Sequence, residues 1–266
     1  MRGKMIAGNW KMYNGQKATE AFIAKLEEWL SADPVGMKAA EAVADGRIEV
    51  VIAPPFTSIP AAVATRKGEA IRIAGQNVHY EPKGAFTGEV SLPMLAEAGC
   101  QYVIIGHSER RHVFGESNEL LEKKLLATLE DESKILPIFC VGELLKDREA
   151  GNTEQVLKLQ LDAAWSSLTS DVVGDMVVIA YEPVWAIGTG KTASDADAEK
   201  ACGYIRTLAF ERFGIAASDA LRILYGGSVK PENSKGILSQ KNIDGLLIGG
   251  ASLEVDSFAK IIATAI

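Results

Sequence analysis

Eight short apolar runs, rich in β-branched residues, punctuate the chain at 5–7, 48–53, 71–74, 102–105, 135–141, 176–181, 221–225 and 246–248. Most lack polar alternation, the mark of strands covered on both faces, as in parallel sheets. Between them lie patterns of helical period. In the first, Phe22, Ile23, Leu26, Trp29 and Leu30 recur at three- and four-residue spacing, which sets Lys25, Glu27 and Glu28 on the opposite, solvent face. Further helices are predicted over 119–129 and 156–168. Ser194-Asp195 predicts the N-cap of a helix reaching Phe210, and Asp256 the cap of the last helix. Eight strands alternating with eight helices imply βαβ units and a parallel sheet.

No linker, low-complexity stretch or charge block interrupts the alternation across 1–266. An open doubly wound sheet and a single-domain (β/α)8 barrel both fit it, and eight regular units in about 250 residues is what the barrel requires. The polar residues separate the two. Asn9-Trp10-Lys11, Gln76-Asn77, His107-Ser108-Glu109, Glu143, Glu182, Gly226-Gly227-Ser228 and Gly249-Gly250 all stand at strand ends. In a barrel they converge on one rim, where barrel active sites lie, whereas a linear sheet would scatter them along an edge. The barrel is the expectation. Two connections exceed what the geometry needs. Residues 31–47, with Pro34, Gly36 and Gly46, predict an extra surface turn or short helix. Residues 76–91 form a long loop after the third strand, which either packs on a partner or is simply a mobile surface loop.

Composition changes this picture mainly by exclusion. Of 266 residues, 47% are hydrophobic and 24% charged, enough apolar material to rule out intrinsic disorder. Lys and Arg number 28 against 35 Asp and Glu, and the net charge of -7 argues against nucleic acid or an anionic membrane as the main partner. Cys100, Cys140 and Cys202 form no CxxC pair, which points to a reducing compartment. The first residues carry only three apolar positions before Gly8-Asn9, unlike an export signal, and no apolar run nears the length of a membrane span. A cytoplasmic chain is expected.

The candidate chemistry begins at Glu182, which ends an apolar strand and precedes Pro183-Val184-Trp185. Pro183 disfavours helical backbone at Glu182 and holds it extended at the strand mouth. A carboxylate among Tyr, Trp and Val is expected to be partly desolvated, with a raised pKa suited to a general base. Residues 183–191 contain Gly188-Thr189-Gly190-Lys191 and suit a lid that excludes water. Gly190-Lys191-Thr192 imitates a nucleotide-binding P-loop, but Trp185 stands where its first glycine is needed, so nucleoside triphosphate is rejected.

The three histidines, 79, 107 and 112, show no metal-ligand spacing, and no metal or cofactor is expected. His107, after Ile104-Ile105-Gly106, is left as a proton donor, acceptor or electrophile. Lys11 points into the same rim space. Gly226-Gly227-Ser228 and Gly249-Gly250 end the seventh and eighth strands, where such barrels commonly bind phosphate on backbone N–H groups. A base, an imidazole, a cation, a phosphate cradle and a lid fit proton abstraction α to a carbonyl on a small phosphorylated substrate.

Five segments then carry a resemblance: Ala7-Gly8-Asn9-Trp10-Lys11-Met12, Gly106-His107-Ser108-Glu109-Arg110-Arg111, residues 180–191, Tyr225-Gly226-Gly227-Ser228-Val229 and Ile248-Gly249-Gly250-Ala251. In this order they resemble the triosephosphate isomerase family across essentially the whole chain. The resemblance implies a TIM barrel that interconverts dihydroxyacetone phosphate and D-glyceraldehyde 3-phosphate, in glycolysis and gluconeogenesis. It implies Glu182 as the base, and His107 as an electrophile and proton shuttle, kept neutral by a helix N-terminus. It further implies Lys11 as the cation, Asn9 polarising the site, and Glu109 as a carboxylate beside Lys11 and His107. Gly188, Ser228, Gly249 and Gly250 match phosphate-binding positions. Family members are similar homodimers, which implies that residues 77–89, with Thr87 near the tip, enter a neighbouring copy. The chain departs from the family pattern at 31–47 and at Thr192-Ala193-Ser194, away from the catalytic positions. The alternatives are a phosphate-binding barrel with Schiff-base aldolase chemistry on Lys11, and a catalytically silent binding protein that keeps the fold.

Overall fold

The computed structural model describes residues 2–187 and 193–266. Its strands are β1 (Lys4–Asn9), β2 (Ile48–Ala53), β3 (Ile71–Gly75), β4 (Tyr102–Ile105), β5 (Leu136–Val141), β6 (Val178–Tyr181), β7 (Arg222–Tyr225) and β8 (Gly245–Ile248). They close in chain order into a parallel barrel, β8 pairing back onto β1 with Ile6 opposite Leu246. Each strand falls on its predicted apolar run, with β5, β6 and β7 starting one or two residues later than predicted.

The helices are more numerous than one per crossover. α1 (Gln16–Ala32) and α2 (Pro34–Ala44) lead to β2, α3 (Ile59–Thr65) to β3 and α4 (Leu92–Glu97) to β4. α5 (Ser108–His112) and α6 (Asn118–Glu130) precede β5, while α7 (Leu145–Glu149), α8 (Thr153–Ala164) and α9 (Ser170–Met176) precede β6. α10 (Asp195–Ala220), α11 (Pro231–Leu238) and α12 (Val255–Ala263) complete the chain. Met176 therefore ends a helix rather than opening a strand. Among the described residues no helix is long and apolar enough to cross a membrane.

The missing polar alternation has a direct cause. Met5, Ala7, Val51, Ala53, Ile138, Cys140, Val178, Ala180 and Leu224 fill the barrel interior. Their strand neighbours Ile6, Val50, Ile52, Phe139, Val141, Ile179 and Ile223 face the helices. Alternate side chains thus enter two apolar layers, and both must be hydrophobic.

Three local expectations need correction. Glu27 does not lie on the solvent face of α1: it is buried, and its Oε1 accepts the backbone N–H of Lys67 at 2.9 Å. A carboxylate that closes a neighbouring loop is invisible to periodicity. Asp256 does not cap α12, whose N-cap position is Glu254; it lies in the first turn and pairs with Lys25 at 2.7 Å. The helix begun by Ser194 passes Phe210 and continues to Ala220, broken at Gly214, where φ is 83°. Ser194 itself accepts from Asp197 N, and the Asp197 carboxylate accepts from Ser194 N in return, a reciprocal capping box.

The stretch 31–47 is built around α2, whose first turn is capped by Asp33 Oδ1 accepting from Val35 and Gly36 amides at 2.8 and 3.1 Å. Residues 76–91 carry no helix or strand. Within them His79 lies between Tyr80 and Phe86, with ring centroids 4.4 and 4.1 Å away.

Candidate active site

The parity of β6 places the central carboxylate. Ala180 points into the barrel and Tyr181 outward, so the next residue, Glu182, turns inward at the carboxyl mouth. The ladder continues through it: Glu182 N donates to Val141 O at 2.8 Å, and Gly226 N donates to Tyr181 O at 2.7 Å. This close approach needs Gly142, because a Cβ there would sit 1.7 Å from Glu182 O.

Glu182 is buried and held by two donors. His107 Nε2 lies 2.9 Å from its Oε1, and the backbone N–H of Ser108 donates to its Oε2 at 2.8 Å. His107 is the N-cap of α5, and its Nδ1 accepts from the Glu109 amide at 3.2 Å. Nδ1 therefore faces a donor, and the proton of the neutral ring belongs on Nε2, aimed at Glu182.

The electrostatics correct the expected pKa of Glu182. Burial pushes the carboxyl up, but the His107 charge and hydrogen bond, the Ser108 amide and Lys11 together outweigh it and hold Glu182 below the ordinary carboxylate range. For His107, burial opposes the charge, yet the Glu182 carboxylate dominates and raises the imidazole above its ordinary value. The Glu109 amide on Nδ1 still assigns the proton of a neutral ring to Nε2. With Glu182 turned onto it, His107 Nε2 lies 2.9 Å from the Glu182 carboxylate, which is the source of both shifts.

Lys11 occupies an unusual backbone position, at φ 53°, for a residue with a side chain. It is held there from both sides: its N–H donates to Asn9 Oδ1 at 3.1 Å, and its carbonyl accepts from Gln76 Nε2 at 2.8 Å. Its ammonium pairs with Glu109 Oε1 at 2.7 Å, and its stem passes 3.6 Å from where a Cβ on Gly249 would lie.

A cavity of about 530 Å³ joins Asn9, Lys11, His107 and Glu182 to Ser228, Gly249 and Gly250. Gly250 opens a short 3-10 turn, Gly250–Ser252, whose leading N–H groups lack an intrahelical acceptor and suit an anion. Glu109 stands beside the cavity, engaged by Lys11. Of the lid expected at 183–191, Pro183 to Ile187 are described, and Ile187 lines the cavity. Gly188, the remaining phosphate candidate, lies outside the described residues. No group of three or more His, Cys, Asp or Glu is placed to hold a metal among the described residues.

Two features escape a reading of the sequence. Ser108 acts through its backbone amide, which no side-chain motif announces, although the start of a helix after a strand is the place to look for such a donor. Glu143 stands at a strand end yet does not face the cavity. It is wholly buried, and its Oε1 accepts from Trp185 Nε1 at 2.9 Å and Tyr181 Oη at 3.1 Å. Burial raises its pKa, against the hydrogen bonds that lower it.

Comparison with known proteins agrees over nearly the whole length. Residues 4–265 match the family model described as triosephosphate isomerase. The triosephosphate isomerase of Moorella thermoacetica is 48% identical over 262 residues, covering 98% of each chain. That of Solibacter usitatus is 49% identical over 262 residues, 98% of this chain and 99% of the other. That of Aquifex aeolicus is 45% identical over 259 residues, 97% and 98% of the two chains.

Proposed function

The chain belongs to the triosephosphate isomerase family and interconverts dihydroxyacetone phosphate and D-glyceraldehyde 3-phosphate; we propose that Glu182 and His107 carry the proton transfers. The observation behind this assignment is their 2.9 Å hydrogen bond inside the cavity that also holds Lys11. Substrate takes the place of that bond. Glu182 turns from His107 and Ser108 and removes the proton from the carbon next to the carbonyl, leaving an enediolate. His107 Nε2–H donates to the enediolate oxygens and passes a proton between them, and Glu182 returns its proton to the neighbouring carbon. Once Glu182 leaves it, His107 loses the charge that raised its pKa, and the Glu109 amide on Nδ1 favours the neutral donor.

Lys11 and Asn9 offset the charge developing on oxygen, while Glu109 sets the height of the Lys11 ammonium. Ser228, Gly249, Gly250 and Gly188 hold the phosphate. The reaction needs no cofactor. The aldolase reading of Lys11 is disfavoured by its ion pair, since a Schiff-base lysine must be available uncharged. The test couples formation of glyceraldehyde 3-phosphate to a detectable oxidation, for the protein and for Glu182→Gln. A fall in kcat of about 10² to 10⁴ is expected; equal rates would remove Glu182 from the chemistry.

The same reading extends to assembly and place. Met12, Tyr13, Phe86, Val113 and Phe114 are exposed on loops leaving β1, β3 and β4 at one mouth. Such clustering on neighbouring loops suits a homodimer contact through the loop around Thr87. Sedimentation should give a dimer for the protein and a lighter species for Thr87→Glu; identical masses would exclude that loop. Three buried free thiols suit a reducing compartment, and we place the reaction in the cytoplasm, in glycolysis and gluconeogenesis.

A further inference from the structure

Arg148, in α7 shortly after β5, touches the chain that follows Glu182 at two separate places. Its guanidinium lies over the Trp185 ring, 4.4 Å from the centroid, and its Nη2 pairs with Asp197 Oδ1 at 2.7 Å. Trp185 stands three residues after Glu182. Asp197 is in the first turn of α10, where its other oxygen, Oδ2, accepts from Ser194 Oγ at 2.7 Å and Ser194 N at 3.2 Å. One rigid, planar cation thus contacts the chain on the near side of residues 186–194 and again on the far side. Glu143, in the loop between β5 and α7, fixes the edge of the indole that Arg148 covers, and its carbonyl accepts from Val184 N at 3.2 Å.

Neither contact is strong alone, since Arg148 and Asp197 are about a third exposed, with side-chain exposures of 30% and 37%. Their importance is geometric. Arg148 cannot shift toward one partner without leaving the other, and the flat guanidinium is the group that can stack and pair at once.

Resting on the isomerase assignment, we propose that Arg148 is a positioning residue for the reaction: by joining Trp185 to Asp197 it fixes the turn that follows Glu182, and with it the aim of the carboxylate. Three of the four phosphate-binding groups, Ser228, Gly249 and Gly250, are on other strands, and only Gly188 follows Trp185, so the effect falls mainly on turnover and less on substrate capture. A loosened Glu182 misses the near-attack geometry in more of its encounters.

The experiment compares the wild-type protein with Arg148→Met, Arg148→Lys and Asp197→Asn. Arg148→Met keeps bulk over the indole but loses the ion pair. It should lower kcat roughly 10-fold with KM within about twofold. Arg148→Lys, which keeps the charge but cannot stack flat, should recover part of the loss. With 5-fluorotryptophan incorporated, the Trp185 resonance, assigned by its absence in Trp185→Phe, should move in Arg148→Met and in Asp197→Asn. Unchanged kcat in Arg148→Met overturns the proposal, as does a loss matched by an equal loss of folded protein. If Arg148→Met does not fold, Asp197→Asn is judged by the same criteria. An inactive wild-type protein would instead defeat the isomerase assignment, so the two failures are distinguishable.

Discussion

The two mouths of the barrel hold similar kinds of residue in opposite conditions. At the amino mouth, Glu49 accepts from Arg222 Nη1 at 2.6 Å, Arg72 Nε at 2.7 Å and Tyr102 Oη at 2.7 Å. Asp244 there accepts from Arg2, Arg206 and the Ile223 amide at 2.6, 2.6 and 3.0 Å. Each carboxylate is met by three donors, several of which are tied in turn to neighbouring groups of the same mouth. At the carboxyl mouth Glu182 has two donors and Lys11 one acceptor, all within a cavity large enough for a triose phosphate. Charges in one mouth are enclosed by donors; in the other they face an open cavity, as the proposed exchange with substrate requires. The same chemistry serves stability where every valence is closed and catalysis where one is left exchangeable.

Substitutions can separate the two conditions. The largest expected effect on folding is at the amino mouth: Glu49→Leu leaves Arg222 and Arg72 without their shared anion and should cost about 3 kcal/mol of stability. Denaturant titration would detect it, and kcat per folded molecule should stay at the wild-type value. A loss of kcat without loss of stability would break the division of labour. At the carboxyl mouth, Lys11→Met should do the reverse. It frees Glu109 and relieves no packing, so unfolding should move by less than about 1 kcal/mol. Steady-state kinetics should show weakened substrate binding, and unchanged KM and kcat would remove Lys11 from the site.

The smallest effect concerns pH. Glu182 is depressed, so its contribution to stability is present above the ordinary value of 4.5 and lost as pH falls through the folded value. His107 is raised, so its contribution is complete below the ordinary value of 6.5 and lost as pH rises through the folded value. The pair therefore stabilises most between those ordinary values. Thermal melts of the protein and Glu182→Gln should differ most in that window and converge on either side. A difference independent of pH would mean that the pair does not form.

The barrel was legible because it is written in repetition. Eight apolar runs at regular intervals survive an error of a residue or two at any end, as Met176 shows. The shared cavity of the candidate site was legible because strand ends in a barrel share a rim, so distant residues such as Lys11, His107 and Glu182 could be brought together on topology and motif. What could not be read was reciprocity between distant side chains. Glu27 looks solvent-facing until the loop at Lys67 folds over it, and Asp256 looks like a cap until Lys25 reaches it from α1. The desolvation of Glu182 was foreseeable from its neighbours. Its net pKa direction was not, because that depends on where His107 Nε2 and the Ser108 amide point. Arg148 carries no motif at all, and only the folded chain shows it between Trp185 and Asp197.

The double apolar layer of the strands has a consequence for how this molecule can change. Because successive residues alternate between the barrel interior and the helical shell, the direction of Glu182 is set by odd or even position along β6. A single-residue deletion within β6 would send Glu182 to the shell and bring Tyr181 to the mouth, inverting inside and outside together. Insertions and deletions are therefore tolerable in the loops, where α2 shows a whole helix accommodated, and within strands only in pairs. A strand grafted from another barrel must obey the same arithmetic, whatever its similarity in composition.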